Sequence, residues 1–114
     1  NRIRENYKKF FQLNNIKFID ILNKKIILWL NFLICKKDIN RKLILNAKKL
    51  NINFNFFWMP MHLQPIMRKY TAEDQKNTNN IWKKILVLPS SDNIKNSEQD
   101  KVKSFLKRNL KLIN

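Results

Sequence analysis

The chain has no glycine in its 114 residues, and this absence limits the backbone more than any other feature. Glycine adopts positive φ without steric cost, so every left-handed turn in this chain must use another residue, and asparagine is the best substitute. The absence also excludes the Gly-rich phosphate loops, both the dinucleotide-binding fingerprint and the P-loop. A nucleotide site of either kind is therefore not encoded in this sequence.

Length and hydrophobic content together indicate one folded domain. Hydrophobic residues make up 44% of the chain, which is too many for a disordered tail. A chain of this length can bury a modest core of its own. We therefore treat residues 1–114 as a single domain.

The chain is strongly basic, with 24 Lys and Arg against 8 Asp and Glu and a net charge of +16. Such a field attracts nucleic acid or anionic lipid. The basic residues are spread as doublets along the whole chain, however, and Lys, Asn and Ile are abundant. That pattern is typical of AT-rich coding sequence on a solvated surface, and it argues against nucleic acid as a partner. A small basic nucleic-acid-binding domain stays open as the alternative function, and a membrane-surface or partner-docking module as a third.

A single cysteine and a single histidine exclude several kinds of site. Cys35 can form neither an internal disulfide nor a multi-cysteine metal site, and its apolar neighbours predict a buried side chain. One histidine cannot make a His–His metal pair. No apolar stretch approaches the roughly 18–20 residues that span a bilayer, and residues 1–4 show no signal peptide. We therefore expect no metal, no membrane partner and a cytoplasmic location.

Hydrophobic periodicity predicts an α+β fold in which a small sheet carries helices on one face. The predicted elements are a helix over residues 2–13, a strand over 26–35, a helix from an Asp38 N-cap through Leu50, a strand over 52–57, a short apolar strand formed by Trp82 and residues 85–88, and a last helix from Asn96 or Ser97. Residues 14–25 are ambiguous, and residues 68–80 predict a loop or a short helix.

Each predicted element has an apolar side that we expect to face the core. These inward residues are Ile3, Tyr7, Phe10 and Phe11 in the first helix; Ile39, Leu43, Ala47 and Leu50 in the second; Ile52, Phe54 and Phe56 in the second strand; and Val102, Phe105, Leu106 and Leu110 in the last helix. The tryptophans Trp29, Trp58 and Trp82 are also expected in the core.

The strand over 52–57 is followed by the sequence WMPMHLQP, which begins at Trp58. Proline fixes φ and lacks an N–H, so Pro60 and Pro65 prevent a regular helix or central strand and hold a loop in one shape. A shaped loop after a strand is a common place for ligand contacts. His62 and Gln64 are the candidates, because imidazole and amide groups can both donate and accept hydrogen bonds; Trp58, Pro60 and Pro65 would shape the loop.

This loop, with the sequences LPSSDNI from Leu88 and EQDKV from Glu98, resembles the C-terminal domain of DegT/DnrJ/StrS-type sugar aminotransferases. These are pyridoxal-phosphate enzymes of fold type I. The similarity is greatest to members that aminate a 4-keto sugar on UDP or a similar nucleotide for bacterial surface glycans. It extends weakly upstream, to the helix over residues 2–13 and to the sequence LWL from Leu28.

The resemblance implies a division of labour between two domains. The large N-terminal domain of such enzymes, which this chain would lack, carries pyridoxal phosphate and its Schiff-base lysine. Lys24 and Lys25 are not candidates for that lysine, because nothing near them in sequence suggests a lowered pKa. We therefore expect the chain to be an inactive C-terminal fragment with no catalytic residue and no cofactor of its own.

For the small domain, the resemblance implies that His62 and Gln64 face the nucleotide sugar and that the LPSS sequence from Leu88 is a structural turn. The intact enzyme would use an amino-acid donor such as glutamate and form a homodimer. A domain that evolved packed against a larger one would expose an apolar flank when isolated.

Three positions depart from the family pattern. Asn51 stands where a Gly is usual, Asn55 where an Arg is frequent, and Lys83-Lys84-Ile85 occupies a stretch that usually contains a Gly. A lost Gly can strain a turn, although asparagine tolerates positive φ. The lost Arg removes a potential partner for an anion.

Overall fold

The computed structural model describes residues 2–18, 29–70 and 74–113. In these ranges the helices are α1 (Arg2–Leu13), α2 (Arg41–Lys48), α3 (Lys76–Ile81), α4 (Asn96–Arg108) and α5 (Leu110–Ile113), and the strands are β1 (Asn31–Ile34), β2 (Asn55–Phe56) and β3 (Ile85–Leu88). Short 3-10 turns cover Met61–Leu63, Pro65–Met67 and Trp82–Lys84. Within the same ranges, no helix has both the length and the apolar character needed to cross a membrane.

The three strands form one antiparallel sheet in the order β1-β3-β2. β3 lies at the centre, with Phe32 of β1 and Asn55 of β2 on either side of Val87. All four residues of β3 are buried, as expected for a central strand with side chains packed on both faces. The prediction of an α+β fold is confirmed.

The core lies on one face of the sheet. Leu33, Leu86 and Leu88 join a single cluster that also contains buried residues of α1, α2, α4 and α5. Side chains alternate between the two faces of a strand, and the intervening Ile85 and Val87 are buried outside that cluster. The predicted arrangement of helices on one face is therefore confirmed for these four helices.

Helix α1 agrees with its prediction. Ile3, Tyr7 and Phe11 recur every fourth residue and are all buried, while Phe10 packs partly buried against the same cluster. Tyr7 and Phe11 stack with ring centroids 6.0 Å apart. The aromatic stripe thus anchors the N-terminal helix to the core.

Helix α2 begins later than predicted. Its N-cap is Asn40, with an extended backbone and a side-chain oxygen that accepts the Lys42 N–H at 2.8 Å, so the Asp38 cap is wrong. Asn and Asp cap equally well, so local sequence does not distinguish the two positions. Leu43 and Ala47 are buried as predicted. The helix ends at Lys48, and Leu50 beyond it is 47% exposed, although it was predicted in the core.

The first two strands are shorter than predicted. β1 spans Asn31–Ile34, Cys35 lies beyond it, and residues 26–28 of the predicted strand and 19–25 of the ambiguous segment lie outside the described residues. β2 retains only Asn55 and Phe56 of the predicted 52–57. Ile52 and Phe54 are buried as expected, but Phe56 is 44% exposed, because it lies on a two-residue edge strand at the margin of the helical layer.

The C-terminal third differs in two places. Trp82 lies in a 3-10 turn before β3, not in a strand. The last helix breaks at Asn109 into α4 and α5, so the half-buried Leu110 and the fully buried Ile113 belong to a separate short helix. Val102, Phe105 and Leu106 are buried as predicted.

The N-terminus of α4 is capped by Glu98, whose carboxylate accepts the Lys95 N–H at 2.7 Å.

Gln99 is a buried polar residue that joins α4 to α1. Its amide N–H donates to the Ile3 carbonyl at 3.1 Å, and its oxygen accepts from the Asn6 side chain at 3.0 Å. Buried polar groups are tolerated when they are hydrogen-bonded in this way. Gln99 therefore fixes the register of the two helices across the core.

Asparagine takes the left-handed positions of this glycine-free chain. Asn15 and Asn51 have φ of 52° and 57°, and no other described residue has positive φ. Asn51 follows α2, and its positive φ is the conformation that glycine adopts most freely, as the expectation of a Gly at this position from the resemblance requires. The Lys83-Lys84-Ile85 stretch has negative φ throughout, and the missing Gly there causes no backbone strain.

Candidate functional site

The loop from Trp58 to Pro65 follows β2 and consists of two successive 3-10 turns. The Leu63 N–H donates to the Pro60 carbonyl at 3.0 Å, and the Gln64 N–H donates to the Met61 carbonyl at 3.0 Å. Pro65 begins the second turn at a position where its missing N–H costs nothing. Pro60 therefore precedes the first turn directly, and Pro65 begins the second.

Gln64 uses its side chain inside the loop. Its amide N–H donates to the Met59 carbonyl at 3.1 Å, which ties the end of the loop to its beginning. The amide oxygen remains as the group of Gln64 that can accept a hydrogen bond from a ligand. The structure thus adds an internal contact to the predicted ligand-facing role.

His62 is half-buried and lies against α3. Its Nε2 is 2.7 Å from Oδ1 of Asn79. Asn79 was not singled out in the sequence, since it sits in the polar run 77–80 where four similar residues offer no distinguishing signal. The contact places the candidate histidine at the junction between the loop and the helix that leads to β3.

Trp58 and Trp29 stack on each other with ring centroids 5.7 Å apart and planes inclined by 28°. They are 58% and 71% exposed, so the prediction that they lie in the core is wrong. Sequence reasoning failed here because tryptophan is usually buried. Trp82 is half-buried, and its indole N–H is enclosed without a partner in the described part of the chain.

Trp58 belongs to a chain of ring contacts that we call the aromatic row: Trp29, Trp58, Phe57 and Phe32. Phe57 meets Trp58 edge-on at 5.3 Å and Phe32 at 6.1 Å. Phe32 pairs with Val87, outside the core cluster, so the row runs over the sheet face that the four core helices leave uncovered. Its two tryptophans are more than half exposed.

The LPSS sequence forms a structural connection, as the resemblance implied. The Ser90 hydroxyl accepts the Asn31 N–H at 2.8 Å and donates to the Leu88 carbonyl at 2.9 Å. The Tyr7 hydroxyl donates to the Pro89 carbonyl at 3.1 Å, and burial raises the pKa of Tyr7 well above its ordinary value. Tyr7 therefore stays a neutral donor, and α1, β1 and β3 are held together at this end of the sheet.

An open cleft of about 610 Å³ lies at the same end of the sheet. Its polar lining comes from Asn53, Asn55, Ser91 and Asp92, and Trp29 forms part of its apolar wall. Because Trp29 also stacks on Trp58, this cleft is continuous with the aromatic row and, through it, with the loop. Asn55 supplies a neutral amide to this lining.

The described residues offer no alternative centre for metal or thiol chemistry. They contain no group of three or more potential metal ligands. Cys35 is buried, as predicted, and burial raises the pKa of its thiol to about 11. A thiol of that pKa is inert as a nucleophile near neutral pH. The candidate chemistry therefore rests on the loop, the aromatic row and the adjacent cleft.

The comparisons with known proteins give one positive result. A sequence model of the DegT/DnrJ/EryC1/StrS aminotransferase family matches residues 2–107. No curated protein matches the chain. The matched segment contains α1, α2, α3 and all of α4 except its last residue, Arg108. It also contains the three strands and the WMPMHLQP loop, whereas α5 lies beyond it.

Proposed function

The chain belongs to the DegT/DnrJ/EryC1/StrS aminotransferase family, and from this premise we propose that it is the C-terminal small domain of an aminotransferase that acts on a nucleotide-linked 4-keto sugar for surface glycan biosynthesis. The family match is the observation that carries the proposal. Charge alone left a nucleic-acid-binding domain open as an alternative, and family membership favours the aminotransferase. A cytoplasmic location, an amino-acid donor such as glutamate and a homodimer are parts of the same proposal.

The family is generally pyridoxal-phosphate-dependent, so the residues of this chain can be tested against the needs of that cofactor. When bound, pyridoxal phosphate stabilises negative charge at the carbon next to the amine, and it requires an enclosed lysine as its covalent anchor. Every lysine in the described ranges is exposed or half-buried. The described residues therefore do not fit a cofactor site, and we propose that a separate large domain provides it.

The uncovered aromatic row supports a position beside a larger domain. Trp29 and Trp58 stack on each other and are both more than half exposed. Isolated soluble domains rarely expose contiguous apolar surface of this kind unless it binds something. We propose that the cofactor-binding domain of the same enzyme covers this face and brings the loop to the substrate.

The role proposed for His62 is a hydrogen bond to the sugar nucleotide, not proton transfer. In the whole enzyme, His62→Ala should raise KM for the sugar nucleotide by roughly threefold to tenfold, the worth of one neutral hydrogen bond of about 0.5–1.5 kcal/mol. The absorbance of the bound cofactor should stay unchanged. Asn46→Ala, at an exposed polar position of α2, is the control and should leave KM unaltered.

The opposite pattern, lost cofactor absorbance with unchanged KM, would contradict that role. The domain position has a separate test, an immunoblot of source cells with an antibody against α4. We expect a band several times larger than 13.9 kDa. A band at 13.9 kDa would mean that the chain functions without a large domain, and the aminotransferase assignment would then describe its ancestry alone.

A further inference from the structure

The contact between His62 and Asn79 has a direction. An amide oxygen can only accept a hydrogen bond, so with Asn79 Oδ1 at 2.7 Å from His62 Nε2 the hydrogen between them belongs to Nε2. In a neutral imidazole only one nitrogen carries a hydrogen. The other nitrogen, Nδ1, is then a hydrogen-bond acceptor, and it has no partner among the residues that the structure describes.

Both partners of this contact are fixed by their own elements. His62 lies in the 3-10 turn that the Leu63-to-Pro60 bond closes. Asn79 lies in α3, where its backbone N–H donates to the Gln75 carbonyl at 2.8 Å. The backbone of the loop and the backbone of the helix are each held by their own hydrogen bonds. The bond between His62 and Asn79 therefore joins two segments that are already ordered.

We propose that Asn79 is a positioning residue that holds His62 in the Nε2–H tautomer, so that Nδ1 is offered as an acceptor. The consequence is a preference in ligand chemistry: the loop favours a ligand group that donates a hydrogen bond at this point, a hydroxyl or an amide N–H, over one that can only accept. This inference rests on the proposed function only in that His62 faces a ligand. The tautomer itself is a property of the free chain.

The single histidine of the chain makes the tautomer directly measurable. The probe is ¹⁵N NMR of the ring nitrogens, on the full 114-residue chain labelled at histidine, in mildly alkaline buffer where imidazoles are neutral. A protonated ring nitrogen and an unprotonated one resonate far apart, and mixed tautomers bring the two signals together. We expect widely separated signals in the wild type, with the hydrogen on Nε2.

Three variants separate a positioning role from general disturbance. Asn79→Ala removes the acceptor and should move the two signals toward each other. Asn79→Asp keeps an acceptor oxygen at the same place and should retain the wild-type separation. Asn80→Ala is the matched control, since Asn80 is an exposed asparagine in the same helix, and it should change nothing. Both positions are at the surface, so folding should be preserved in all three variants.

Two results would overturn the proposal. Signals that place the hydrogen on Nδ1 in the wild type would mean that the Asn79 amide donates instead of accepting. Equal separation in the wild type and in Asn79→Ala would mean that Asn79 does not select the tautomer. Neither result depends on a ligand, whereas the KM test of His62→Ala does, so failure of the positioning role and failure of the proposed function are distinguishable.

Discussion

Asn31 and Ser90, 59 positions apart in the chain, meet through two hydrogen bonds to one hydroxyl. The backbone N–H of Asn31 donates to Ser90 Oγ at 2.8 Å, and its side-chain amide donates to the same oxygen at 3.1 Å. The hydroxyl itself donates a hydrogen bond to the Leu88 carbonyl. The Ser90 side chain thus provides hydrogen bonds at the end of the β1–β3 pair, where backbone groups of the neighbouring strand are no longer available.

Replacing this serine should therefore destabilise the fold. Ser90→Ala leaves the backbone N–H of the buried Asn31 without its partner, which costs about 1–3 kcal/mol in the free energy of unfolding. Urea denaturation monitored by circular dichroism would measure the change. Ser91→Ala, an exposed neighbour, is the control. Equal stability of the two variants would show that the Ser90 bonds contribute nothing.

Asn51 gives a second prediction, because a side chain with a Cβ is disfavoured at its φ of 57°. Asn51→Ala should lower the free energy of unfolding by about 1–2 kcal/mol. Asn51→Gly should be close to wild type, because glycine adopts this conformation freely. Asn53→Ala, at an exposed position with negative φ, provides the comparison in the same denaturation experiment. If Ala and Gly at position 51 behave alike, backbone conformation is not what asparagine provides there.

The buried thiol of Cys35 predicts a loss of stability in alkali. Burial raises its pKa from 9.0 to about 11, so between these values the folded state keeps a proton that the unfolded state has lost. The contribution is fully present below pH 9.0 and falls as pH rises toward 11. The free energy of unfolding of the wild type should therefore decline more steeply over this window than that of Cys35→Ala. Parallel curves would contradict the buried thiol.

The uncovered aromatic row should bind a dye that reports exposed apolar surface. Trp58→Ser interrupts the row between Trp29 and Phe57 and should reduce the fluorescence of bound anilinonaphthalene sulfonate in the isolated chain. Leu45→Ser removes a similarly exposed apolar side chain, 54% accessible, from helix α2 and is the control. A larger loss of fluorescence from the control would place the binding surface elsewhere.

The elements that the sequence predicts well are those with a long repeated signal. Helix α1 repeats a buried aromatic or aliphatic residue every fourth position, and β3 is an uninterrupted apolar run that Pro89 ends. The errors lie where two residues offer the same signal. Asp38 and Asn40 are both good caps, and no local feature of the sequence distinguishes them. Apolar and polar residues do alternate over residues 52–57, and Ile52 and Phe54 are buried as this predicts. The alternation alone cannot show that the helices do not cover Phe56.

The candidate site also has a part that the sequence predicts and a part that it does not. The loop and its two prolines follow from the sequence, because proline acts locally. Trp29 and Asn79, in contrast, reach the loop through the fold: one comes from the segment before β1 and the other from a helix before β3. Their contacts with Trp58 and His62 depend on strand order, and strand order is not written in any local pattern.

The place of β3 in that order bears on how the protein is made. Among the described residues, β3 is the middle strand of the sheet and follows both of its neighbours in sequence, so β1 and β2 are synthesised before the described strand with which each pairs. Until residue 88 has emerged, both carry unpaired backbone edges beside apolar side chains, the state most prone to aggregation. A product cut short before Ile85 should therefore be insoluble or rapidly degraded. Synthesis must therefore pass residue 88 before any two of the described strands can pair.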